Sequence, residues 1–323
     1  MKDLRIIFMG TPDFARGILQ RMVEEGLQVV AVVTVADKPA GRGQKLQESS
    51  VKKYALSQQI PVLQPISLRD EAFLAALKEF QADVQVVVAF RMLPKVVWQM
   101  PSKGTFNLHA SLLPDYRGAA PINWAIINGE TTTGVTTFLI DDQIDTGAIL
   151  LKKEVTIAPR ETAGTLHDKL MTVGADLVVQ TLALIASGQA VAKPQPKEVM
   201  PKEAPKIHKE TSRIPWEKSL WEIDRFVRGM APYPTAWAWL HHQGEEYAVK
   251  IYEATPVDEP HTLKIGSIRL QHKKIEVAVR GGFLQIEILQ FPSKKRMTAQ
   301  EFLNGFHFTE GDFFCLDMYA FNS

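Results

Sequence analysis

Asn107 and His109 stand two residues apart in the segment "TFNLHASLLPDYRGAAP", residues 105–121. The apolar residues around them indicate a buried strand, in which alternate side chains share one face. An amide NH₂ and a protonated imidazole aimed at one point stabilise negative charge that develops on a carbonyl oxygen. The alternative interpretation is a core histidine whose ring is satisfied by a neighbouring asparagine.

A cluster of carboxylates, "DDQIDTG" at residues 141–147, supplies a third candidate group. It precedes a predicted strand at a spacing that can fold back to the same sheet edge. A carboxylate beside an imidazole fixes the orientation of the ring and favours its protonated form. The set suits attack on a carbonyl by a nucleophile that the protein does not supply, such as a substrate amine. These residues therefore predict acyl transfer to an amine.

Other chemistries find little support in the sequence. The first βα turn, "FMGTPDFA", has one of the three glycines of the dinucleotide fingerprint, which argues against NAD or FAD. Neither a phosphate-binding G-x-x-x-x-G-K-[ST] segment nor a G-x-S-x-G nucleophile elbow occurs. Cys315 is the only cysteine, which excludes a disulfide framework and a cysteine zinc cluster. H-E-x-x-H is also absent, and no metal is predicted.

The elements that must position these residues follow an α/β pattern. Three β-branched runs predict buried strands, "LRIIFMG", "LQVVAVVTV" and "VQVVVAF", with the helical patterns "PDFARGILQRMVEEG", "SVKKYALSQQ" and "SLRDEAFLAALKEF" between them. The alternation predicts a Rossmann-like, mostly parallel sheet with helices on both faces. "GTFNLHA" predicts a further strand, "AAPINWAIING" a helix, "TTGVTTFLID" and "GAILLKKEVTI" two more strands, and residues 162–188 a long amphipathic helix.

Composition and texture indicate two domains. The 323 residues are 46% hydrophobic and 23% charged, which is typical of a globular protein with room for more than one core. Residues 191–207 hold four prolines and four lysines and predict an extended linker. We therefore predict a catalytic domain over 1–190 and a C-terminal domain over 208–323, where short strands and turns indicate a small, OB-like β-barrel.

The net charge and the N-terminal sequence limit the possible binding partners and the cellular compartment. The net charge of +1 means that a polyanion would be bound by locally concentrated basic residues. The N-terminal apolar run is too short for a signal peptide or a membrane span. We expect a cytoplasmic protein that does not bind a membrane.

The motifs, taken together, are similar to those of the methionyl-tRNA formyltransferases, within the wider group of formyltransferases that use 10-formyltetrahydrofolate. The similar segments are "FMGTPDFA" at 8–15, "DKPAGRGQKL" at 37–46, "PVLQP" at 61–65, "NLHASLLPDYRGAAPI" at 107–122 and "DTGAILLKKEV" at 145–155. The resemblance covers essentially the whole chain. One departure is "AFRMLP" at 89–94, where relatives tend to have a tyrosine and a glycine.

The resemblance implies a site and two substrates. Asn107, His109 and Asp145 fall on the catalytic residues of the family. Folate contacts are implied for three segments, comprising Val88, Ala89, Phe90, Arg91 and Leu93; Ser111, Leu112, Leu113 and Pro114; and Ile140, Asp141, Asp142 and Gln143. The acceptor stem of methionyl initiator tRNA is expected at Lys38, Arg42, Lys45 and Lys206. The chain is expected to act as a monomer.

Three alternatives stay open at the level of sequence. A formyltransferase for an amino-sugar nucleotide or a purine-pathway amine shares the N-x-H motif and the aspartate, and the basic loop 37–46 is the feature that disfavours it. A non-catalytic folate- or RNA-binding module has no need for an oxyanion hole beside a proton relay. A hydrolase that passes the formyl group to water would use the same residues.

Overall fold

The computed structural model describes residues 3–40, 45–196 and 200–315, and residues 39, 40 and 45 by their backbone alone. The chain divides into two compact units. The first comprises Met1–Pro121, Thr132–Thr156 and His167–Ala204, and the second comprises Ile122–Thr131, Ile157–Leu166 and Pro205–Ser323. Arg42 lies outside the described residues, so its predicted role has no structural account.

The first unit alternates strands and helices along the chain. Its strands are β1 Ile6–Gly10, β2 Val29–Val33, β3 Lys38–Ala40, β4 Lys45–Gln47, β5 Val62–Leu63, β6 Val84–Val88, β7 Thr105–His109, β8 Arg117–Gly118, β9 Thr132–Leu139, β10 Ile149–Thr156 and β11 Glu203–Ala204. Its helices are α1 Asp13–Glu24, α2 Ser50–Ser57, α3 Glu71–Glu79 and α4 Lys95–Trp98. The helices α5 Pro121–Ile127 and α6 Ala163–Ala186 belong in part to the second unit.

Seven of these strands form one sheet in the order β10-β9-β7-β6-β1-β2-β5. The pairs β1–β2, β1–β6, β2–β5 and β6–β7 are parallel, whereas β9 runs antiparallel to β7 and to β10. The predicted mostly parallel sheet is confirmed. The strand order reverses beside β1, because the chain builds β2 and β5 on one side and β6 and β7 on the other. Such a switch point is where open α/β sheets bind ligands, beyond the carboxyl ends of the strands.

Helices cover both faces of this sheet. On one face, Ile7, Met9 and Val87 form a core cluster with Phe73 and Leu77 of α3. On the other face, α6 approaches the sheet closely at Gly174, where an added Cβ would lie 2.8 Å from the side chain of Leu108. Leu108 therefore faces α6, and its neighbours in β7 face the opposite side.

Helix α6 is long and apolar enough to cross a membrane by length and composition, the one such helix in the part of the chain that the structure describes. Nearly half of its most apolar window, 44%, is buried inside the protein. Its Thr181 hydroxyl also makes a 2.8 Å hydrogen bond with the Thr137 hydroxyl of β9. These contacts are those of a core helix packed on a sheet.

The second unit is dominated by antiparallel strands. It contains a 3₁₀ turn at Glu210–Ser212, the helices α7 Leu220–Met230 and α8 Ala299–Leu303, and the strands β12 Ala236–His242, β13 Glu245–Val257, β14 Ile268–Gln271, β15 Lys274–Val279, β16 Gly282–Gln290, β17 Met297–Thr298 and β18 Phe313–Cys315. The sheet order is β14-β15-β16-β13-β12-β18, with β17 added beside β16. A single antiparallel bridge between Ser267 and Phe313 joins the two ends of this order. The curled, bridged sheet agrees with the predicted barrel.

Helix α7 packs against the core of that curled sheet. Its buried residues Leu220, Ile223 and Val227 lie in one cluster with Trp216 and with the inward side chains of the strands. A capping box begins the helix: the Ser219 hydroxyl accepts from the Glu222 amide, and the Glu222 carboxylate accepts from the Ser219 amide. The Ser219 hydroxyl also donates to the Glu222 carboxylate at 2.6 Å. This hydrogen bond first, and the one from the Ser219 amide second, lower the pKa of Glu222 to about 2.

Candidate active site

The candidate residues Asn107 and His109 lie at the C-terminal end of β7, with Leu108 between them. Because α6 covers Leu108 between them, both side chains lie on the opposite face of the sheet. Asn107 is in register with Val87 of β6, and His109 is in register with Thr136 of β9. Val87 belongs to the core cluster on that face. The shared-face prediction for Asn107 and His109 therefore agrees with the register of the sheet.

The imidazole of His109 is buried, with 7% of the residue exposed. Its Nε2 donates a 2.7 Å hydrogen bond to the backbone carbonyl of Tyr116. A carbonyl only accepts, so Nε2 carries a proton and Nδ1 is the nitrogen left for chemistry. Nδ1 lies 3.8 Å from Oδ2 of Asp145, which is an ion-pair distance but too long for a hydrogen bond.

Asp145 is held in the loop between β9 and β10 by backbone geometry and one amide. Its φ is +57°, in the left-handed region that non-glycine residues rarely occupy. Its Oδ2 accepts a 2.9 Å hydrogen bond from the amide of Gly118. Two residues later, Gly147 packs so tightly that a Cβ would lie 1.6 Å from the carbonyl oxygen of Leu139. The carboxylate is thus fixed near His109 by groups that are mainly backbone.

Asn107 contributes a polar atom that has no partner in the part of the chain that the structure describes. Its Oδ1 is buried and makes no hydrogen bond with any described residue. Buried polar groups are normally satisfied, so an orphaned acceptor at the end of a strand indicates a donor supplied by a ligand. The amide can present either its oxygen or its NH₂, because the two orientations differ by a 180° rotation.

The loop that follows β7 is fixed by hydrogen bonds from neighbouring strands. Thr136 donates its hydroxyl to the Ser111 carbonyl at 2.6 Å and accepts from the Leu113 amide at 3.2 Å. Lys152 of β10 donates to the Leu113 carbonyl. Burial lowers the pKa of Lys152, partly offset by Asp115. The segment predicted to contact folate, Ser111–Pro114, is therefore a rigid wall.

A group of apolar residues, here called the apolar wall, lies on the sheet face that carries Asn107. Phe90, Leu93 and Ile140, all predicted folate contacts, pack in the same cluster as Val87. Leu93 is buried, and Ala89 adopts a φ of +46° as the chain leaves β6. Phe90 and Ile140 are partly buried against this cluster, so the apolar core continues to the ends of β6 and β9 on this face.

Arg91, the departure from the family pattern, makes contacts within its own unit. Its guanidinium donates to the backbone carbonyls of Ile66, at 2.8 Å, and Pro65. It also lies 5.6 Å from the centre of the Phe90 ring. Arg91 thus links two loops at the edge of the apolar wall.

The acidic segment 141–143 lies at the start of the loop that carries Asp145. Asp141 accepts from the Gln143 amide at 3.0 Å and from the Thr146 hydroxyl at 2.8 Å. Asp142 and Gln143 are exposed. Asp141 therefore shapes the loop, and the next two residues are accessible to a ligand.

The predicted RNA-contacting lysines differ in how much the structure describes of them. Lys38 at the start of the β3–β4 hairpin and Lys206 in the second unit are both exposed. Lys45 lies in β4, but its side chain is outside the described part of the chain. Lys52, also basic in this region, is already paired with Asp37 and Glu48, and the hydrogen bond to Asp37 raises the pKa of Lys52. Lys52 therefore adds little free positive charge to the surface.

Sequence reasoning missed several groups that position the site. Tyr116 and Gly118 act through backbone atoms, which leave no side-chain signal. Gln195 and Arg117 form a hydrogen-bonded pair behind Asp145. Within the described residues, no group of three or more His, Cys, Asp and Glu side chains is arranged to hold a metal ion.

Comparison with known proteins identifies the family. A model described as formyl transferase matches residues 4–182, and one described as formyl transferase, C-terminal domain, matches residues 206–307. The chain is 54% identical over 310 residues to the methionyl-tRNA formyltransferase of Flavobacterium johnsoniae, covering 96% of this chain and 98% of that relative. The chain belongs to the methionyl-tRNA formyltransferase family. The resemblance predicted from the motifs is confirmed.

Other members and a solved structure agree. The methionyl-tRNA formyltransferase of Bacteroides fragilis is 52% identical over 314 residues, covering 96% of this chain and 97% of that relative. The fold is similar to that of HypX from Aquifex aeolicus, solved in complex with tetrahydrofolic acid, with a TM-score of 0.64 at 17% identity. That likeness covers 93% of this chain and 47% of the HypX chain, and it supports the fold alone.

Proposed function

We propose that the chain transfers the formyl group of 10-formyltetrahydrofolate to the α-amino group of methionyl initiator tRNA, giving the formylated initiator for translation. The observation that carries the proposal is the placement of His109 Nδ1 opposite the Asp145 carboxylate, on the face where Asn107 has an unpartnered amide oxygen. Membership of the methionyl-tRNA formyltransferase family supports the choice of acceptor.

The folate co-substrate supplies the formyl group. The residues proposed to hold its pterin are the apolar wall of Phe90, Leu93 and Ile140, the rigid segment Ser111–Pro114, and the backbone groups of 140–143. The apolar side chains of this set support the proposal, because a flat heterocycle is bound mainly by apolar surface.

The chain's own groups carry the proton chemistry in this proposal. As the substrate amine attacks the formyl carbon, Asn107 and protonated Nδ1 of His109 donate to the carbonyl oxygen, on which negative charge develops. The Tyr116 carbonyl keeps the ring oriented through Nε2, so the ring cannot turn Nδ1 away from the site. Asp145 stabilises the positive charge on the ring and accepts the proton that the amine releases. As the carbonyl re-forms, the bond between the formyl carbon and the folate nitrogen breaks, and that nitrogen takes the proton from Asp145.

The tRNA is proposed to bind through phosphate and shape recognition at Lys38, Arg42, Lys45 and Lys206. The exposure of Lys38 and Lys206 supports their part of this assignment. Arg42→Ala is expected to weaken the use of full-length tRNA far more than folate binding. Equal loss in both would contradict a role at the acceptor stem.

The domain assignment, the compartment and the oligomeric state belong to the same proposal. We assign folate chemistry to residues 1–190, a linker to 191–207 and, in addition to the four basic residues above, tRNA binding to the domain over 208–323. We also propose that the chain works in the cytoplasm as a monomer, without a membrane partner.

The acceptor is tested by following tetrahydrofolate release optically. The protein is incubated with 10-formyltetrahydrofolate and one of four acceptors: methionyl initiator tRNA, an amino-sugar nucleotide, glycinamide ribonucleotide, or water alone. We expect rapid release with methionyl-tRNA only. Turnover with either small amine, or an equal rate in water, would replace the proposed function by one of the alternative formyl transfers or by hydrolysis.

A further inference from the structure

Among the described residues of the Pro- and Lys-rich segment 191–207, one polar side chain is buried, that of Gln195. It lies between Pro194 and Pro196, and 7% of the residue is exposed. The neighbouring Lys193 exchanges two backbone hydrogen bonds of 2.8 Å with Ile149, the first residue of β10. The segment predicted as a linker is thus anchored, at this point, beside the loop that carries Asp145.

The amide of Gln195 binds the backbone on both sides of that loop. Its Nε2 donates to the carbonyl of Asp145 and to the carbonyl of Gly147, both at 2.9 Å. Its Oε1 accepts a 2.6 Å hydrogen bond from Nη2 of Arg117. Both amide hydrogens are used on two carbonyls that flank Thr146, so the side chain fixes the path of the turn.

Arg117 closes this arrangement from the other side. Its side chain orients Gln195, and the amide of the next residue, Gly118, donates to Oδ2 of Asp145. The preceding residue, Tyr116, accepts from His109. One short stretch of chain, 116–118, therefore positions the imidazole, the carboxylate and the glutamine behind the carboxylate.

We propose that Gln195 is a positioning residue for Asp145, acting through the turn 145–147, and that Arg117 holds the amide of Gln195 in the required orientation. This inference rests on the proposed function. Asp145 has a φ of +57°, a conformation that its own backbone does not favour. Gln195 binds the carbonyl of that very residue and so selects the backbone conformation that aims the carboxylate at His109.

The test compares Gln195→Met with Gln189→Met. Methionine keeps the length of glutamine and removes its donors and acceptor, and Gln189 is an exposed glutamine outside the site. Because a misplacement of about 1 Å in a reacting group can cost around 100-fold, we expect kcat for formylation of methionyl-tRNA to fall about 10- to 100-fold in Gln195→Met. The KM values for folate and tRNA should change by less than about threefold, because neither substrate touches Gln195 in this account.

A double-mutant cycle separates positioning from a general structural role. In an Asp145→Asn background, Gln195→Met should have no further effect on kcat, because the group that it positions is already disabled. A merely structural glutamine would lower the rate by the same factor in both backgrounds. Additive losses, or an unchanged kcat in Gln195→Met, would overturn the proposal.

The controls distinguish loss of folding, an incorrect proposed function and an incorrect positioning role. Thermal unfolding of each variant shows whether it is folded, and Arg117→Met serves as a second variant, expected to lower kcat in the same direction by a smaller factor. If wild type and Gln189→Met fail to formylate methionyl-tRNA, the proposed function is wrong. If both are active and neither Gln195→Met nor Arg117→Met lowers kcat, the positioning role alone is wrong.

Discussion

The carbonyl oxygen of Tyr116 accepts a 2.7 Å hydrogen bond from Nε2 of His109. This contact decides which nitrogen of the ring is available, because the bonded nitrogen must carry its proton and cannot serve the substrate. The free nitrogen, Nδ1, is the one that faces Asp145 at 3.8 Å. The tautomer and the direction of the ring are therefore set by a backbone atom seven residues away in the chain.

Because the side-chain oxygen of Asn107 has no partner within the described part of the chain, we predict that replacing this residue lowers activity without lowering stability. Replacing Asn107 by leucine, of similar shape, removes a buried acceptor that has no partner among the described residues. A buried unsatisfied group costs about 1–3 kcal/mol, so the free energy of unfolding should stay level or rise by about 1 kcal/mol. The rate of formyl transfer should fall by about 10²–10³ through loss of an oxyanion donor. Urea unfolding and steady-state kinetics test the two parts, and a large loss of stability would show that Asn107 is a structural residue.

The close packing of Gly147 leads to a steric prediction. In Gly147→Ala the new Cβ would meet the carbonyl of Leu139, so the turn that carries Asp145 must move. Overpacking of this kind costs about 1–3 kcal/mol of stability, and we expect activity to fall as well. Gly305→Ala is the matched control, since nothing lies within 4 Å of its added Cβ. Equal stability of the two variants, measured by denaturant unfolding, would contradict the packing described for the turn.

The capping box of α7 leads to a pH prediction. The folded-state pKa of Glu222 is about 2, below the ordinary 4.5, because Ser219 donates to its carboxylate. The unfolded chain therefore binds the proton more tightly, and the stability from this group is present above pH 4.5 and is lost as pH falls towards 2. Glu222→Gln should be less stable than wild type at pH 7, with a gap that narrows between pH 4.5 and 2. A gap that is independent of pH would exclude the carboxylate as its source.

The mostly parallel sheet could be predicted from the sequence because its central strands are short apolar runs rich in β-branched residues. The run Val84–Val88 has four valines in five residues and is buried throughout, so its composition indicates a central strand. The N-x-H spacing predicted that Asn107 and His109 lie on the same face, because alternate residues of a strand share a face. The short hairpin of β3 and β4 carries no such signal, because three-residue strands do not establish a period.

The groups that complete the site were hidden for a physical reason. Tyr116 and Gly118 act through a carbonyl and an amide that every residue possesses, so only the path of the chain brings them to His109 and Asp145. Gln195 lies in a stretch whose prolines and lysines are typical of a solvated linker. Its burial depends on the bridge between Lys193 and Ile149, a pairing over 44 positions that local patterns do not encode.

The role of Asp145 in proton transfer is tested by the single-turnover rate of Asp145→Asn with 10-formyltetrahydrofolate and methionyl-tRNA, both saturating. Asp168→Asn is the matched control, because Asp168 also lies beside an imidazole, that of His167 at 2.9 Å, but is exposed on α6. We predict that Asp145→Asn lowers the rate by about 10²–10⁴ with folate affinity retained, and that Asp168→Asn leaves the rate unchanged. A near-normal rate in Asp145→Asn would show that this carboxylate and His109 do not handle the proton together.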